Sequence, residues 1–151
     1  MKIFGVLFIL IGIATTISAQ KTGTNNQETE AVKVPLNNYL QAHATGKAEF
    51  IRQAFQTDAR ITAFRDGKMS SLSVEDFAKL FNGKTADDEA KRKRTIDTID
   101  VSGNAAIAKI TLDYPKVKFT DYMTLLRIDG EWKIVNKSFY MEPKQAANTA
   151  K

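Results

Sequence analysis

Lys116 to Phe139, KVKFTDYMTLLRIDGEWKIVNKSF, constrains this chain more than any other stretch. Two long runs rich in β-branched and aromatic residues flank Asp129-Gly130, a dipeptide that favours the tight turn of a hairpin. The second run opens with Trp132, the only tryptophan. The same period of two extends upstream. Strands are expected at about 92–102, 105–114, 118–128 and 131–141, with Ser102-Gly103-Asn104 as a further turn. Ala106, Ala108, Ile110, Leu112 and Tyr114 alternate onto one face. Trp132, Ile134, Asn136, Ser138 and Tyr140 do so in the last strand.

The pattern before residue 90 is helical. Leu36, Tyr39, Leu40 and His43 fall at i, i+3, i+4 and i+7, with Pro35 suited to a first turn and Gly46 to a C-terminal cap. Phe50, Ile51, Ala54 and Phe55 form the stripe of a second short helix. Arg60 to Arg65 and Lys68 to Leu72 read as a hairpin about Asp66-Gly67. Ser73 caps a third helix with Asp76 three residues on, striped by Val74, Phe77, Ala78 and Phe81 and ended by Asn82-Gly83. The expected class is α+β: a curved, antiparallel or mixed sheet with three helices on its concave face.

Composition and termini narrow the setting. The chain has 151 residues, enough for one domain with a proper core, and no internal repeat or linker is visible in 32–142. Lys2, the apolar run from Ile3 and the Ile17-Ser18-Ala19 step resemble a secretory signal peptide cleaved after Ala19. That run, roughly 11–15 residues, is shorter than the about 20 a bilayer span needs. Secretion or a periplasmic location is therefore expected, with no membrane span after cleavage. Residues 20–31 read as a flexible leader and 143–151 as a flexible tail. No cysteine is present, which excludes disulfides, thiolate chemistry and Cys-based metal sites. The formal charge of +5 is scattered apart from Lys91-Arg92-Lys93-Arg94. That run follows acidic Asp87-Asp88-Glu89 and is read as the solvated start of a strand, not a nucleic-acid patch.

YLQAHATGKAEFIRQAFQTDARI at 39–61 and FTDYMTLLRIDGEWKIVNKSF at 119–139 resemble the nuclear transport factor 2-like (SnoaL-like) superfamily. Within it the chain is most similar to the bacterial "putative lumazine-binding" group. That group shows a tyrosine-led first helix, a Gly-Asp-type break (here Gly46-Lys47), and a closing DG-W-I-x-NK-F. The histidine and proline common at the step into its first strand are replaced here by Gln56-Thr57-Asp58-Ala59, so no role of theirs carries over. The resemblance implies a cone with a concave pocket and affinity for a flat heteroaromatic ligand. The superfamily hosts both enzymes and binding proteins, so function has to come from the site.

Candidate site residues follow from residue type and face. Tyr39, His43, Tyr114, Trp132, Asn136 and Tyr140 are expected to form a pocket wall. His43 and Asp121 are the candidate proton-transfer groups. The simpler reading of His43 is a buried or half-buried ring with a hydrogen-bond partner. The simpler reading of Asp121 is an exposed strand carboxylate, because Leu125 and Leu126 leave the register open. No cofactor and no metal are expected. The favoured function is non-catalytic binding of a small, partly aromatic ligand. The alternatives are an isomerase, cyclase or dehydratase using His43 or Asp121, or a module that dimerises through an outer sheet face bearing Ile107, Val135 and Phe139. Phe50, Phe55, Phe77 and Phe81 would decide whether the cone is hollow or plugged.

Overall fold

The computed structural model describes residues 18–145, with side chains from residue 26 onward. Residues 1–17 of the expected signal peptide and 146–151 of the expected tail lie outside the described residues. The elements are α1 (Ser18–Thr45), α2 (Ala48–Ala54), β1 (Phe55–Arg65), β2 (Lys68–Ser73), α3 (Val74–Ala78), β3 (Lys93–Ser102), β4 (Ala105–Asp113), β5 (Val117–Ile128) and β6 (Glu131–Pro143). A single 3₁₀ turn, Glu89–Lys91, precedes β3.

The six strands form one curved, open, mixed sheet in the order β2-β1-β6-β5-β4-β3. Every neighbouring pair is antiparallel except β1 with β6. Both Asp-Gly turns behave as their sequence demands. Asp66 and Gly67, like Asp129 and Gly130, all have positive φ, the twist a two-residue hairpin requires. Register shifts interrupt β1–β6, β3–β4 and β5–β6. Such bulges bend a strand and increase its twist.

α1 begins far before Pro35. The segment expected as a loose leader is helical, and Pro35 lies inside the helix. Val32, four residues before Leu36, extends the buried stripe, and Val32, Leu36 and Tyr39 are fully buried. Glu28 is tied down as well: it accepts from Arg127 Nη1 at 2.6 Å and from Trp132 Nε1 at 3.2 Å. Tertiary packing thus carries the helix across the hydrogen bond that Pro35 removes.

Two other boundaries move. Phe55 leaves the stripe of α2 and starts β1, buried opposite Ile134. α3 ends at Ala78 rather than reaching Phe81. Its Ser73 cap forms as expected, accepting from Asp76 N at 3.1 Å and donating to Asp76 Oδ2 at 2.7 Å. Beyond Ala78 the chain continues in i→i+3 turns, Leu80 N to Phe77 O and Phe81 N to Ala78 O, which still carry Phe81 towards α1.

The alternation expected for β6 holds only to Ile134. Thr124 pairs with Asn136 and Leu125 with Ile134, so Val135 is an extra residue in β6. One inserted residue moves everything after it to the opposite face. Lys137 and Phe139 therefore turn inward, opposite buried Met123 and Asp121, while Asn136 pairs with exposed Thr124 on the outer face. Ser138 is exposed, and Tyr140 is 63% exposed. This corrects the placement of Asn136 and Tyr140 in the pocket wall and of Phe139 on the outer face. Ile107 is exposed on the outer face as expected.

Candidate ligand pocket

The pocket sits where α1 ends over the inner face of the sheet, with a volume of about 810 Å³. Tyr39, His43 and Gly46 of α1 supply one side. Phe77 of α3, then Leu80, Phe81 and the loop through Asp88, supply the second. Leu112, Phe119, Lys137 and Phe139 come from β4, β5 and β6, and Arg92 stands at the rim. Phe77 and Phe81 thus wall the pocket instead of plugging it. The close approach of the Asn82–Asp88 loop needs Gly46. Gly46 has φ +71°, and a Cβ there would lie 2.2 Å from the Lys84 carbonyl oxygen. The Gly46 carbonyl also accepts from Gly83 N at 2.7 Å.

Charge gathers at the floor. Asp121 is completely buried, which corrects its expected exposure. Tyr39 donates its hydroxyl to Asp121 Oδ2 at 2.5 Å, and Lys137 Nζ lies 3.0 Å from Oδ1. The lysine is 3% exposed and ringed by aromatics, with Nζ 4.2 Å from the Phe139 ring centre, 5.3 Å from Phe77 and 5.5 Å from Tyr39. Aromatic faces attract a cation and soften its desolvation. Burial lowers the Lys137 pKa even so, against the upward pull of Asp121. Burial, and then the Asp121 charge, hold the Tyr39 hydroxyl well above its ordinary value.

His43 packs edge-on against Tyr39 at 4.7 Å and Phe81 at 5.1 Å between ring centres. Its Nε2 is buried with no hydrogen-bond partner. Burial first, then the charges of Lys137, Arg94 and Arg92, lower its pKa to about 3. The ring is neutral at physiological pH, and one nitrogen in the pocket wall is free to accept from or donate to a guest.

The basic run that leads into β3 is internal in part. Arg94 binds Glu89 through two contacts of 2.6 and 2.7 Å, donates to the His43 carbonyl at 3.0 Å and to the Tyr114 hydroxyl at 3.2 Å. That cation satisfies a carbonyl of the last turn of α1. Arg92 pairs with Asp88 at 2.6 Å and lies 4.4 Å from the centre of the Tyr114 ring. The acidic run just before the basic one, Asp87-Asp88-Glu89, supplies the two carboxylate partners, Asp88 and Glu89.

Of the six expected wall residues, Tyr39 and His43 line the pocket. Tyr114 is buried just behind it, beside Phe119 and the two arginines. Trp132 lies elsewhere, in a smaller groove of about 420 Å³ with Ala31, Val34 and Gln53. Asn136 and Tyr140 are on the outer face. Lys137 and Phe139 are the residues that sequence reasoning missed. The alternation of Val135, Lys137 and Phe139 holds no cue to the bulge that turns the last two inward. Among the described residues, no cluster of three or more His, Asp or Glu side chains is placed to hold a metal, and no helix is long and apolar enough to cross a membrane.

Comparison with known proteins places this geometry in a family. Residues 27–140 match the family described as "Putative lumazine-binding". An aldolase, FrzH, from a Cladobotryum species is 28% identical over 122 residues, covering 79% of this chain and 95% of that protein. A nuclear transport factor 2-like protein of unknown function from Shewanella baltica superposes with a TM-score of 0.71 at 27% identity, over 79% of this chain and 97% of its own. Another from Methylobacillus flagellatus gives 0.65 at 27% identity, over 87% and 99%. The chain belongs to the putative lumazine-binding family of nuclear transport factor 2-like proteins.

Proposed function

We propose that this protein binds a small, partly aromatic molecule in the pocket under the end of α1, with an oxygen of the ligand directed at Lys137. The buried, unpartnered Nε2 of His43 carries this reading, because a polar atom left unpaired in a wall of rings is costly unless a guest pairs with it. Phe77, Phe81, Phe119 and Phe139 supply faces for stacking, and Lys137 a cation to meet an anionic or carbonyl oxygen. Calorimetric titration with lumazine tests it. Binding should be saturable and should weaken at least tenfold in both Phe81→Ala and Lys137→Met proteins. Binding unaffected by both changes would place the ligand elsewhere and refute the reading. We also take the protein to act after export, on the signal-like Met1–Ala19; an intact N-terminus in cell-envelope fractions would refute that.

A second reading is supported by the hydrogen-bonded Tyr39–Asp121–Lys137 chain and by the name of the FrzH relative. In it the same pocket moves protons on a carbonyl compound, with Asp121 and Lys137 as the exchanging pair. Exchange of the α-hydrogens of a bound ketone into deuterated water, abolished in Asp121→Asn, would favour it over simple binding.

A further inference from the structure

We propose that Lys137 captures the ligand covalently, its Nζ condensing with an aldehyde or ketone of a small, partly aromatic guest to form a reversible imine. The inference rests on the binding reading above and names the class of ligand that the pocket takes.

Three observations lead there. Lys137 is 3% exposed yet is one of the residues lining the pocket, so its side chain is withheld from bulk water and borders the space a guest would fill. Its ring neighbours, Phe139, Phe77 and Tyr39, accept no proton and leave Asp121 as its single carboxylate partner. Asp121 is itself fully buried and already accepts from the Tyr39 hydroxyl. A charged pair in such a setting gains little over its neutral form, because desolvation opposes both ions. Transfer of one proton from Nζ to Oδ1, across 3.0 Å, yields a free amine and a carboxylic acid with no net change of charge. The downward shift of the lysine is in keeping with that transfer.

The chemistry then balances without any outside reagent. The Nζ lone pair forms a bond to the carbonyl carbon, and the C=O π electrons move to oxygen. One amine proton passes to that oxygen, giving a carbinolamine. The Asp121 carboxyl protonates the hydroxyl, which leaves as water. The product is a protonated imine at Lys137 beside the Asp121 carboxylate, the same charges as at the start. The surrounding rings stabilise the iminium as they did the ammonium, and the absence of bulk water at the floor opposes hydrolysis. His43, neutral and with Nε2 open, stands on the pocket wall to hydrogen-bond a polar group elsewhere on the guest.

Trapping tests the proposal. The purified full chain is incubated near neutral pH with formylpterin, a flat heteroaromatic aldehyde, and sodium cyanoborohydride, then weighed intact and mapped by peptides. The expected result is one reduced adduct per chain, located on Lys137, formed before any surface lysine reacts. It should vanish in Lys137→Arg, which keeps the buried cation, and in Lys137→Met. Binding of the corresponding alcohol, hydroxymethylpterin, is measured in parallel by calorimetry. Adducts scattered over surface lysines with Lys137 untouched, while the alcohol still binds, would overturn the imine and leave the binding site standing. Neither adduct nor binding would overturn both. The mapping is done on the wild-type chain, so a variant that fails to fold does not blunt the test.

Discussion

His43 should make this protein lose stability on mild acidification, and the loss can be isolated. The ring is neutral in the folded state down to about pH 3, whereas an exposed histidine titrates near 6.5. Between those values the unfolded chain binds a proton that the folded chain refuses. Stability therefore rises with pH across the window and falls as pH drops through it. One pKa unit is about 1.4 kcal/mol, so going from pH 7 to pH 5 should remove about 2 kcal/mol through this group alone. Carboxylates also begin to titrate at pH 5, so the wild type is compared with His43→Gln, which lacks the titrating ring but keeps a polar side chain. Urea unfolding of both proteins at both pH values gives the double difference. The wild type should lose about 2 kcal/mol more than the variant. A double difference below about 0.5 kcal/mol would mean the ring protonates in place, and the desolvated, unpartnered His43 would be wrong. The chain has one histidine, so NMR gives an independent check. Its ring resonances should stay fixed between pH 7 and 5 in the native protein, and a midpoint near 6.5 would refute the same argument.

Three further changes probe the pocket. Tyr39→Phe removes the hydroxyl that donates to buried Asp121, so urea unfolding at pH 7 should show a loss of about 1.5–3 kcal/mol, the usual worth of a hydrogen bond to a charged group. Lys137→Ala strands the Asp121 charge and should cost about 3–5 kcal/mol, while the double change Lys137→Met with Asp121→Leu should cost far less or even stabilise; equal losses in the two proteins would contradict a desolvated pair. Gly46→Ala combines the about 1–2 kcal/mol of a left-handed non-glycine residue with a clash against the Lys84 backbone. It should lower the melting temperature and weaken lumazine binding together, since it displaces the loop that walls the pocket; a thermal midpoint unchanged from wild type would dispose of that account.

The fold was readable because its signals are local and periodic. Both Asp-Gly turns, the Ser73 cap, the inner stripe of β4 and the Leu36–Tyr39–His43 face of α1 are each specified within a few residues, and each is found in place. The errors arose where a distant contact overrode the local pattern. Residues 26–31 look polar and loose until Glu28 is seen against Arg127 and Trp132, about a hundred positions away in the chain. Phe55 fits a helical stripe as well as it fits a strand start, and only its pairing with Ile134 decides. The site was legible on α1 and not on β6. Tyr39 and His43 follow from helix periodicity. Asn136, Tyr140 and Phe139 lie on the faces opposite to those their alternation predicts because of a single extra residue, Val135, whose bulge leaves no mark in composition. Period-two reasoning is only as good as its weakest unbroken step.

The two ends of the molecule are built to different rules, and the contrast argues that the pocket is more than a packing fault. At one end Trp132 is buried and its indole nitrogen has its partner in Glu28, which also holds Arg127. That end locks the hairpin onto the helix. At the other end the chain buries a carboxylate and a lysine, leaves an imidazole nitrogen unpaired, and turns aromatic rings towards open space. Each of these choices opposes stability, and a leucine or methionine at Lys137 with an apolar residue at Asp121 would fill the same floor at lower cost. They are also concentrated where Gly46 and the Val135 bulge, two departures from regular backbone, bring the loop and the lysine into position. A sequence that satisfies local rules nearly everywhere and breaks several of them within one cavity is spending stability on what that cavity holds.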